Sequence, residues 1–177
     1  MTLLNIKSAL NQISSHYKDG RLIPFIGSGF SQPLGLPNWE ELIEGVAQEL
    51  DFDPKLFTIH GSFPQLADYV RENRRVWLDW IHRMTVEFDS RESMEKRKDS
   101  ISHKALAALK WNTIYTTNYD SHIEGALEDA GVKYVTLASL ADFLEPRKPD
   151  ACEIVKFHGT LQDPKTIVLT ESDYFDR

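Results

Sequence analysis

The fold is decided by residues 112–136, NTIYTTNYDSHIEGALEDAGVKYVT. Residues 112–116 are rich in β-branched and aromatic side chains, which predicts a strand. Residues 121–130 place apolar side chains at helical spacing, and Gly131 is a typical residue for ending that helix. Residues 133–136 predict another strand. A strand, a helix and a strand in this order predict two parallel strands joined by a crossover helix.

The same alternation extends outwards from this unit in both directions. Upstream, the compact apolar run 21–26 predicts a first strand that is buried on both faces, although Pro24 cannot donate a hydrogen bond to a sheet. Downstream, residues 153–157 and 166–169 predict a fourth and a fifth strand. This alternation predicts an α/β fold, with a Rossmann-like, mostly parallel sheet that carries helices on both faces.

The rest of the pattern is largely helical. Asn38 is a typical N-cap for a helix, whose apolar stripe consists of Leu42, Ile43, Val46 and Leu50. Residues 63–88 show helical spacing again, and the charged tract 90–100 predicts an exposed connection. Because the block from about 39 to 109 is too long for one crossover, we expect it to form a small helical subdomain or lid. We expect that subdomain to belong to a single domain that covers residues 1–177.

Charge and hydropathy exclude several classes of protein. The formal net charge of -7 argues against a general nucleic-acid binder, which would carry a basic face. The basic run 96–98 is flanked by acidic residues, and we interpret it as a solvated loop. No run approaches the ~18 apolar residues of a transmembrane helix, and the N-terminus lacks the pattern of a signal peptide. We therefore expect a cytoplasmic protein without direct membrane or nucleic-acid contacts.

The chain has one cysteine, Cys152. A lone cysteine cannot form an internal disulfide or a four-thiolate zinc site. Because Cys152 precedes an apolar run, we interpret it as a small buried core residue, with a nucleophile as the alternative. The six histidines have no metal-ligand spacing, so we expect no metal site.

Three short polar segments follow predicted strands. They are residues 27–29 (Gly-Ser-Gly), 118–120 (Asn-Tyr-Asp) and 158–159 (His-Gly). Ligands of open parallel sheets bind at the carboxyl ends of strands, so we expect these segments to meet on one rim. The glycines of the first segment allow a positive φ and a close approach of backbone N–H groups to a phosphate. An ordinary turn at the strand exit is the alternative.

The other two segments carry side chains suited to catalysis. Asn118 can donate and accept at once, which suits the positioning of a ribose hydroxyl or a water. Asp120 can accept a hydrogen bond from a carboxamide or a hydroxyl. His158 is a candidate general base near neutral pH. The alternatives are capping of the next helix by Asn118 or Asp120, and a structural, hydrogen-bonded role for His158.

These segments together resemble a known family. The motifs are FIGSGFS at 25–31, GLP at 35–37, TTNYD at 116–120, KFHGT at 156–160 and LTESDY at 169–174. In this order they resemble the sirtuin superfamily, and more narrowly the bacterial sirtuin-like domains of antiphage defence proteins. The resemblance runs from about residue 21 to the end of the chain and implies that the protein binds NAD.

The resemblance also implies roles for individual residues. The loop that holds the NAD phosphates and the nearby ribose would consist of Gly27, Ser28, Gly29 and Ser31. Asn118 corresponds to the catalytic asparagine that holds a water or the ribose. Asp120 corresponds to the aspartate beside the nicotinamide carboxamide, and His158 to the catalytic histidine.

Two departures from the family pattern shape the functional expectation. Sirtuin deacylases carry a four-cysteine zinc module after the histidine, whereas Cys152 precedes His158 here, so the resemblance implies no zinc. The family chain also continues beyond the position of Tyr174 into elements that hold the adenosine half of NAD. We therefore expect this chain to be incomplete at its C-terminus.

The leading hypothesis is an NAD glycohydrolase domain that acts in antiphage defence. One alternative is a non-catalytic module that binds NAD or ADP-ribose or mediates assembly. The other is an NAD-dependent protein deacylase, which the missing zinc module disfavours. By family resemblance, we expect a homo-oligomer or a regulatory protein partner to control the activity.

Overall fold

The computed structural model describes residues 5–48 and 62–175. The strands are β1 (Phe25–Ile26), β2 (Thr113–Thr116), β3 (Tyr134–Leu137) and β4 (Cys152–Lys156). The helices are α1 (Ile6–Lys18), α2 (Trp39–Gln48), α3 (Phe63–Glu72), α4 (Arg74–Phe88), α5 (Arg91–Asp99), α6 (Ile101–Ala107), α7 (His122–Asp129), α8 (Leu140–Leu144) and α9 (Glu171–Phe175). Short 3₁₀ turns cover Ser28–Phe30, Gln32–Leu34 and Pro164–Thr166.

The four strands of the described residues form one parallel sheet in the order β1-β2-β4-β3. In the centre of the sheet, Ile114 lies opposite Ile154, and both side chains are fully buried. Helices flank this sheet, so the predicted α/β, Rossmann-like class is confirmed.

The strand–helix–strand unit at residues 112–136 folds as its pattern predicts. β2 leads into α7, and α7 leads into β3. Ile123 and Leu127 on α7 are 1% exposed and pack against the central strands. Gly131 ends the helix with a φ of 70°, a conformation that glycine adopts at little cost. The Val132 amide then donates to the Leu127 carbonyl and closes the turn.

The prediction of a first strand buried on both faces is wrong. β1 has two residues and lies at the edge of the sheet, where Phe25 is 65% exposed. Pro24 has no N–H to donate, and its carbonyl accepts a hydrogen bond from the Tyr115 amide (2.9 Å). An apolar run in the sequence indicates that its residues can be buried. Whether they are buried on both faces depends on the position of the strand in the sheet, and β1 lies at an edge.

The prediction of a fifth strand at 166–169 is also wrong. Thr166 ends a 3₁₀ turn, and the following residues pair with no strand of the described sheet. Ile167, Val168 and Leu169 are nonetheless buried. Their burial explains the apolar run, and a hydrogen bond from the Val168 amide to the His158 carbonyl (2.9 Å) holds the segment beside the end of β4.

The charged tract 90–100 is a helix rather than an exposed connection. Ser90 caps α5 by accepting a hydrogen bond from the Ser93 amide (3.3 Å). Arg97 is buried and pairs with Asp129 on α7 at 3.0 Å. The interpretation of 96–98 as a solvated loop is therefore wrong, because a tertiary partner buries one of its three cations.

The helical region packs against the loops that follow the sheet. The predicted N-cap of α2 is confirmed, since Asn38 Oδ1 accepts from the Glu41 amide (3.0 Å). Leu42 is buried, whereas Leu50 lies outside the described residues. Residues 63–88 form two helices, with Asn73 between them. One apolar core joins these helices to Tyr119, Leu161 and Leu169. The helical subdomain that the sequence predicts stays a prediction.

No helix in the described ranges is long and apolar enough to cross a membrane.

Candidate active site

A cavity of about 310 Å³ lies at the carboxyl ends of β1, β2 and β4. Five of the seven predicted site residues line it, namely Ser28, Ser31, Asn118, Asp120 and His158. The first pair follows β1, the second pair follows β2, and the histidine follows β4. The parallel sheet thus brings together three segments that are more than a hundred residues apart at their extremes.

The loop at residues 27–31, called the glycine loop below, turns although neither Gly27 nor Gly29 adopts the left-handed backbone conformation. Gly27 is extended, with φ -118° and ψ -177°. Gly29 also does not have a positive φ, and a Cβ built on it would meet nothing within 4 Å. The positive φ that glycine allows is therefore not used at these two positions. Ser28 and Ser31 face the cavity, whereas Gly27 and Gly29 are not part of its wall.

Asn118 is the most constrained side chain of the cavity. It is 6% exposed, and its Nδ2 donates to Ser31 Oγ at 3.1 Å. Its backbone amide donates to Thr116 Oγ1 at 3.0 Å. Its Oδ1 is buried and has no hydrogen-bond partner among the residues that the structure describes. An unsatisfied buried acceptor costs on the order of 1–3 kcal/mol, so a ligand that donates a hydrogen bond to Asn118 Oδ1 would relieve this cost.

Asp120 lies two residues after Asn118, just before Ser121, the N-cap of α7. It is 4% exposed, and its Oδ1 accepts from the His122 amide at 3.0 Å. Asp120 thus holds the amide of the first residue of α7, although Ser121 rather than Asp120 is the N-cap of that helix. Because a carboxylate accepts several hydrogen bonds, the contact leaves room for a second role in the cavity.

His158 is half-buried at the turn that follows β4. Its carbonyl accepts from the Val168 amide, and Gly159 continues the turn with a φ of 80°. The ring of Tyr174 stands edge-on to the imidazole, with centroids 5.5 Å apart and planes at 90°. The Tyr174 hydroxyl lies 3.5 Å from His158 Nε2, which is long for a hydrogen bond. The edge-on packing of the two rings is therefore the main contact between Tyr174 and His158.

Tyr174 is a cavity residue that reasoning from single residues missed. It lies on α9, and its motif LTESDY marked family resemblance without indicating a role. Burial, together with the nearby Asp173 carboxylate, raises the pKa of Tyr174, so the phenol keeps its proton at neutral pH. Tyr174 thus presents an aromatic wall and a hydroxyl to His158.

Polar contacts fix α9 against the helical region. Arg71 on α3 pairs with Asp173 and donates to Thr170 Oγ1 at 3.1 Å. Gln65 on the same helix donates to Glu171. Although burial raises the pKa of Asp173, hydrogen bonds from the Thr170 and Leu169 amides outweigh this effect and lower it, so the carboxylate stays charged beside Arg71.

Cys152 and the other histidines of the described residues do not line the cavity. Cys152 is 3% exposed in the core, and burial raises the pKa of its thiol to about 11. This supports the core interpretation over the nucleophile, which needs a thiolate. Among residues 5–48 and 62–175, no group of three or more His, Cys, Asp or Glu side chains gathers as a metal site.

Comparison with known proteins links this geometry to a family. Residues 112–177, which contain β2, β4, Asn118, Asp120 and His158, match the family model of the SIR2-like domain.

Several curated proteins are similar along most of the chain. The NAD(+) hydrolase ThsA of Bacillus cereus (strain MSX-D12) is 34% identical over 85% of this chain and 30% of its own length. The NAD(+) hydrolase ThsA of Acinetobacter baumannii (strain 532279) is 29% identical over 95% of this chain and 33% of its own. Defense-associated sirtuin 2 of Bacillus subtilis is 23% identical over 97% of this chain and 17% of its own.

The chain spans about a third or less of the length of these relatives. The similarity to the Acinetobacter baumannii protein extends over 95% of this chain and so includes the glycine loop and the segments that follow β2 and β4. The sirtuin-like resemblance that the motifs predicted is therefore confirmed, and residues 112–177 match the model of the SIR2-like domain.

Proposed function

We propose that this chain is the NAD-cleaving domain of an antiphage defence protein and hydrolyses the bond between nicotinamide and ribose. The observation that carries the proposal is that Asn118 lines a cavity together with Asp120 and His158, and that its buried Oδ1 has no hydrogen-bond partner among the described residues. The similarity to proteins named NAD(+) hydrolase supports the same reaction. A cavity of about 310 Å³ lies at the lower end of the range for small-molecule sites and suits the nicotinamide riboside half of NAD.

The chemistry requires an acceptor side chain, a base and a means to orient the leaving group. As the glycosidic bond breaks, its electron pair leaves with nicotinamide and positive charge develops on the ribose carbon. Water adds to that carbon, and one proton is lost. Asn118 would hold the water or a ribose hydroxyl through Oδ1, and His158 would accept the proton. Asp120 would accept a hydrogen bond from the carboxamide and so orient the nicotinamide.

The glycine loop has a separate part in the proposal. Ser28 and Ser31 line the cavity next to Asn118. With Gly27 and Gly29, they would hold the phosphates and the nearby ribose of NAD through backbone N–H groups and hydroxyls. Ser31 also has a second task, because its hydroxyl accepts the Asn118 Nδ2 hydrogen bond and turns Oδ1 towards the substrate.

The function is tested by following nicotinamide and ADP-ribose after the protein is mixed with NAD. We expect both products in equal amounts. The matched control is the double variant Asn118→Ala, His158→Ala, and equal release by the two proteins would contradict the mechanism. Calorimetric binding of ADP-ribose without any turnover would instead favour the non-catalytic module. Transfer of an acetyl group from an acetyl-lysine peptide to ADP-ribose would favour the deacylase.

Location and control belong to the same proposal. NAD is an intracellular metabolite, so a hydrolase of this kind would act in the cytoplasm. Uncontrolled hydrolysis of NAD would harm the host cell, which favours regulation by a protein partner or by self-association. The proposal also includes no zinc. The zinc module belongs to deacylases, which act on acyl-lysine peptides, whereas the proposed reaction uses water as its nucleophile.

Tyr174 gives a prediction for the wall of the cavity. Tyr174→Ala removes the ring that stands edge-on to His158, and we expect nicotinamide release to fall about 10-fold, since a displaced catalytic group loses rate steeply. Tyr174→Phe keeps the ring and removes the distant hydroxyl, so its rate should stay within about 3-fold of wild type. A larger loss in Tyr174→Phe than in Tyr174→Ala would contradict the positioning role of the ring.

A further inference from the structure

Lys156 is a buried cation directly behind the cavity. Its side chain is fully buried at the end of β4, two residues before His158. Desolvation of an ammonium group is costly unless it is paired and hydrogen-bonded. The sequence pattern gave no sign of this burial, because a lysine at a strand end ordinarily extends into solvent.

The partners of Lys156 belong to the segment that carries the catalytic residues. Its Nζ donates to the Asp120 carbonyl at 2.6 Å and lies 3.5 Å from the Tyr119 carbonyl. The same atom pairs with Glu124 Oε1 on α7 at 2.9 Å. Thr136 Oγ1 on β3 reaches the same carboxylate oxygen at 3.4 Å. One ammonium group therefore joins β4, the segment 118–120 and α7.

We infer that Lys156 and Glu124 act as positioning residues for the reaction, an inference that rests on the proposed function. The carbonyls of Tyr119 and Asp120 point at the ammonium, so the ion fixes how these peptide groups are turned. These two peptide groups lie on either side of the Asp120 Cα, so their orientation sets the direction of the Asp120 side chain. Asn118 precedes Tyr119 in the same segment, so the contact with the Tyr119 carbonyl also restrains the backbone that carries it. Because Lys156 also lies on the strand that leads into His158, it fixes the two catalytic segments relative to each other.

Stability alone does not account for this pair. Replacing a buried ion pair by neutral groups of similar volume is often neutral or stabilising. A role in positioning predicts a different result, namely a variant that folds well but reacts slowly. Displacement of a reacting group by about 1 Å can lower a rate by about 100-fold.

The matched variants remove two ion pairs that involve α7: the buried Lys156–Glu124 pair, and the pair of buried Arg97 with the partly exposed Asp129. Lys156→Met with Glu124→Gln removes the positioning pair and leaves no unpaired charge. Arg97→Met with Asp129→Asn removes the pair that joins α5 to α7, whose residues do not line the cavity. Both double variants remove an ion pair that a side chain of α7 makes with another element, so a general effect of loosening α7 would appear in both.

The experiment compares kcat and KM for nicotinamide release with hydrogen exchange of the amides of residues 118–121 in the full chain. For Lys156→Met, Glu124→Gln, we expect kcat to fall about 10- to 100-fold, with KM within about 3-fold of wild type. We expect exchange of these amides to be at least about 10-fold faster, since local openings become more frequent. The Arg97 and Asp129 variant should keep wild-type values of kcat and wild-type exchange in this segment.

Two outcomes would overturn the inference: unchanged exchange and kcat in the Lys156 variant, or equal changes in both double variants. If wild-type protein releases no nicotinamide, the proposed function fails, and exchange at 118–121 still decides the positioning role. If the Lys156 double variant does not fold, the same measurements are made on the single variant Glu124→Gln. It keeps the carbonyl contacts but weakens the pair, and wild-type exchange together with wild-type kcat in this variant would overturn the inference.

Discussion

Asn118→Ala is expected to release nicotinamide about 100- to 1,000-fold more slowly than the wild-type protein. Removal of one polar group that stabilises a developing charge typically has an effect of about this size. The rate is measured at saturating NAD, and the free energy of unfolding is measured on the same samples. The effect should lie mainly in kcat, because the proposed contact of Oδ1 becomes strong only as the ribose carbon gains charge.

The stability of this variant should change little, which separates catalysis from folding. Alanine removes the hydrogen bond from Nδ2 to Ser31, worth about 1 kcal/mol. It also removes the buried Oδ1 that has no partner, whose cost is of similar size. Ser31→Ala is the matched control, because it leaves Asn118 in place without its support, and we expect an intermediate rate. A rate for Asn118→Ala within about 3-fold of wild type would refute the role of Oδ1.

Gly159→Ala is expected to lower the free energy of unfolding by about 3–5 kcal/mol. Gly159 has a φ of 80°, which strains any L side chain. A Cβ there would lie 2.0 Å from the Thr166 carbonyl oxygen and 2.3 Å from its carbon. Both atoms are backbone, so the turn after His158 must move to make room, and overpacking of this kind adds to the strain. Urea unfolding of the variant and the wild type measures the difference.

Gly29→Ala is the matched control for this prediction. A Cβ at Gly29 would meet nothing within 4 Å, and its φ is not positive. We expect its free energy of unfolding to change by less than about 1 kcal/mol. A loss of equal size in both variants would show that the close approach of Gly159 to Thr166 is not the cause.

The parts of the fold that local pattern determines were predictable from sequence. β2, α7 and β3 form a unit whose apolar spacing and Gly131 describe the local structure completely. The failures arise where a distant partner decides the outcome. Asp129 buries Arg97 in a tract whose charge density indicates an exposed loop. The burial of residues 166–169 comes from packing against the helical core rather than from strand pairing.

The candidate site shows the same division. Asn118, Asp120 and His158 were predictable because polar residues directly after strands meet at one edge of a parallel sheet. Their catalytic roles remain predictions. Lys156 was not predictable as a positioning residue, since its partners are backbone carbonyls that have no signature in the sequence. The role of Tyr174 depends on where a later helix docks, and single-residue chemistry does not reveal it.

The contacts between α3 and α9 have a consequence for His158. Arg71 connects α3 to the helix that carries Tyr174, while no described residue of α3 lines the cavity. Gln65 on α3 also contacts Glu171 on the same helix. A shift of α3 would therefore move the aromatic ring beside His158 through these two side chains, by a route that does not pass through the sheet.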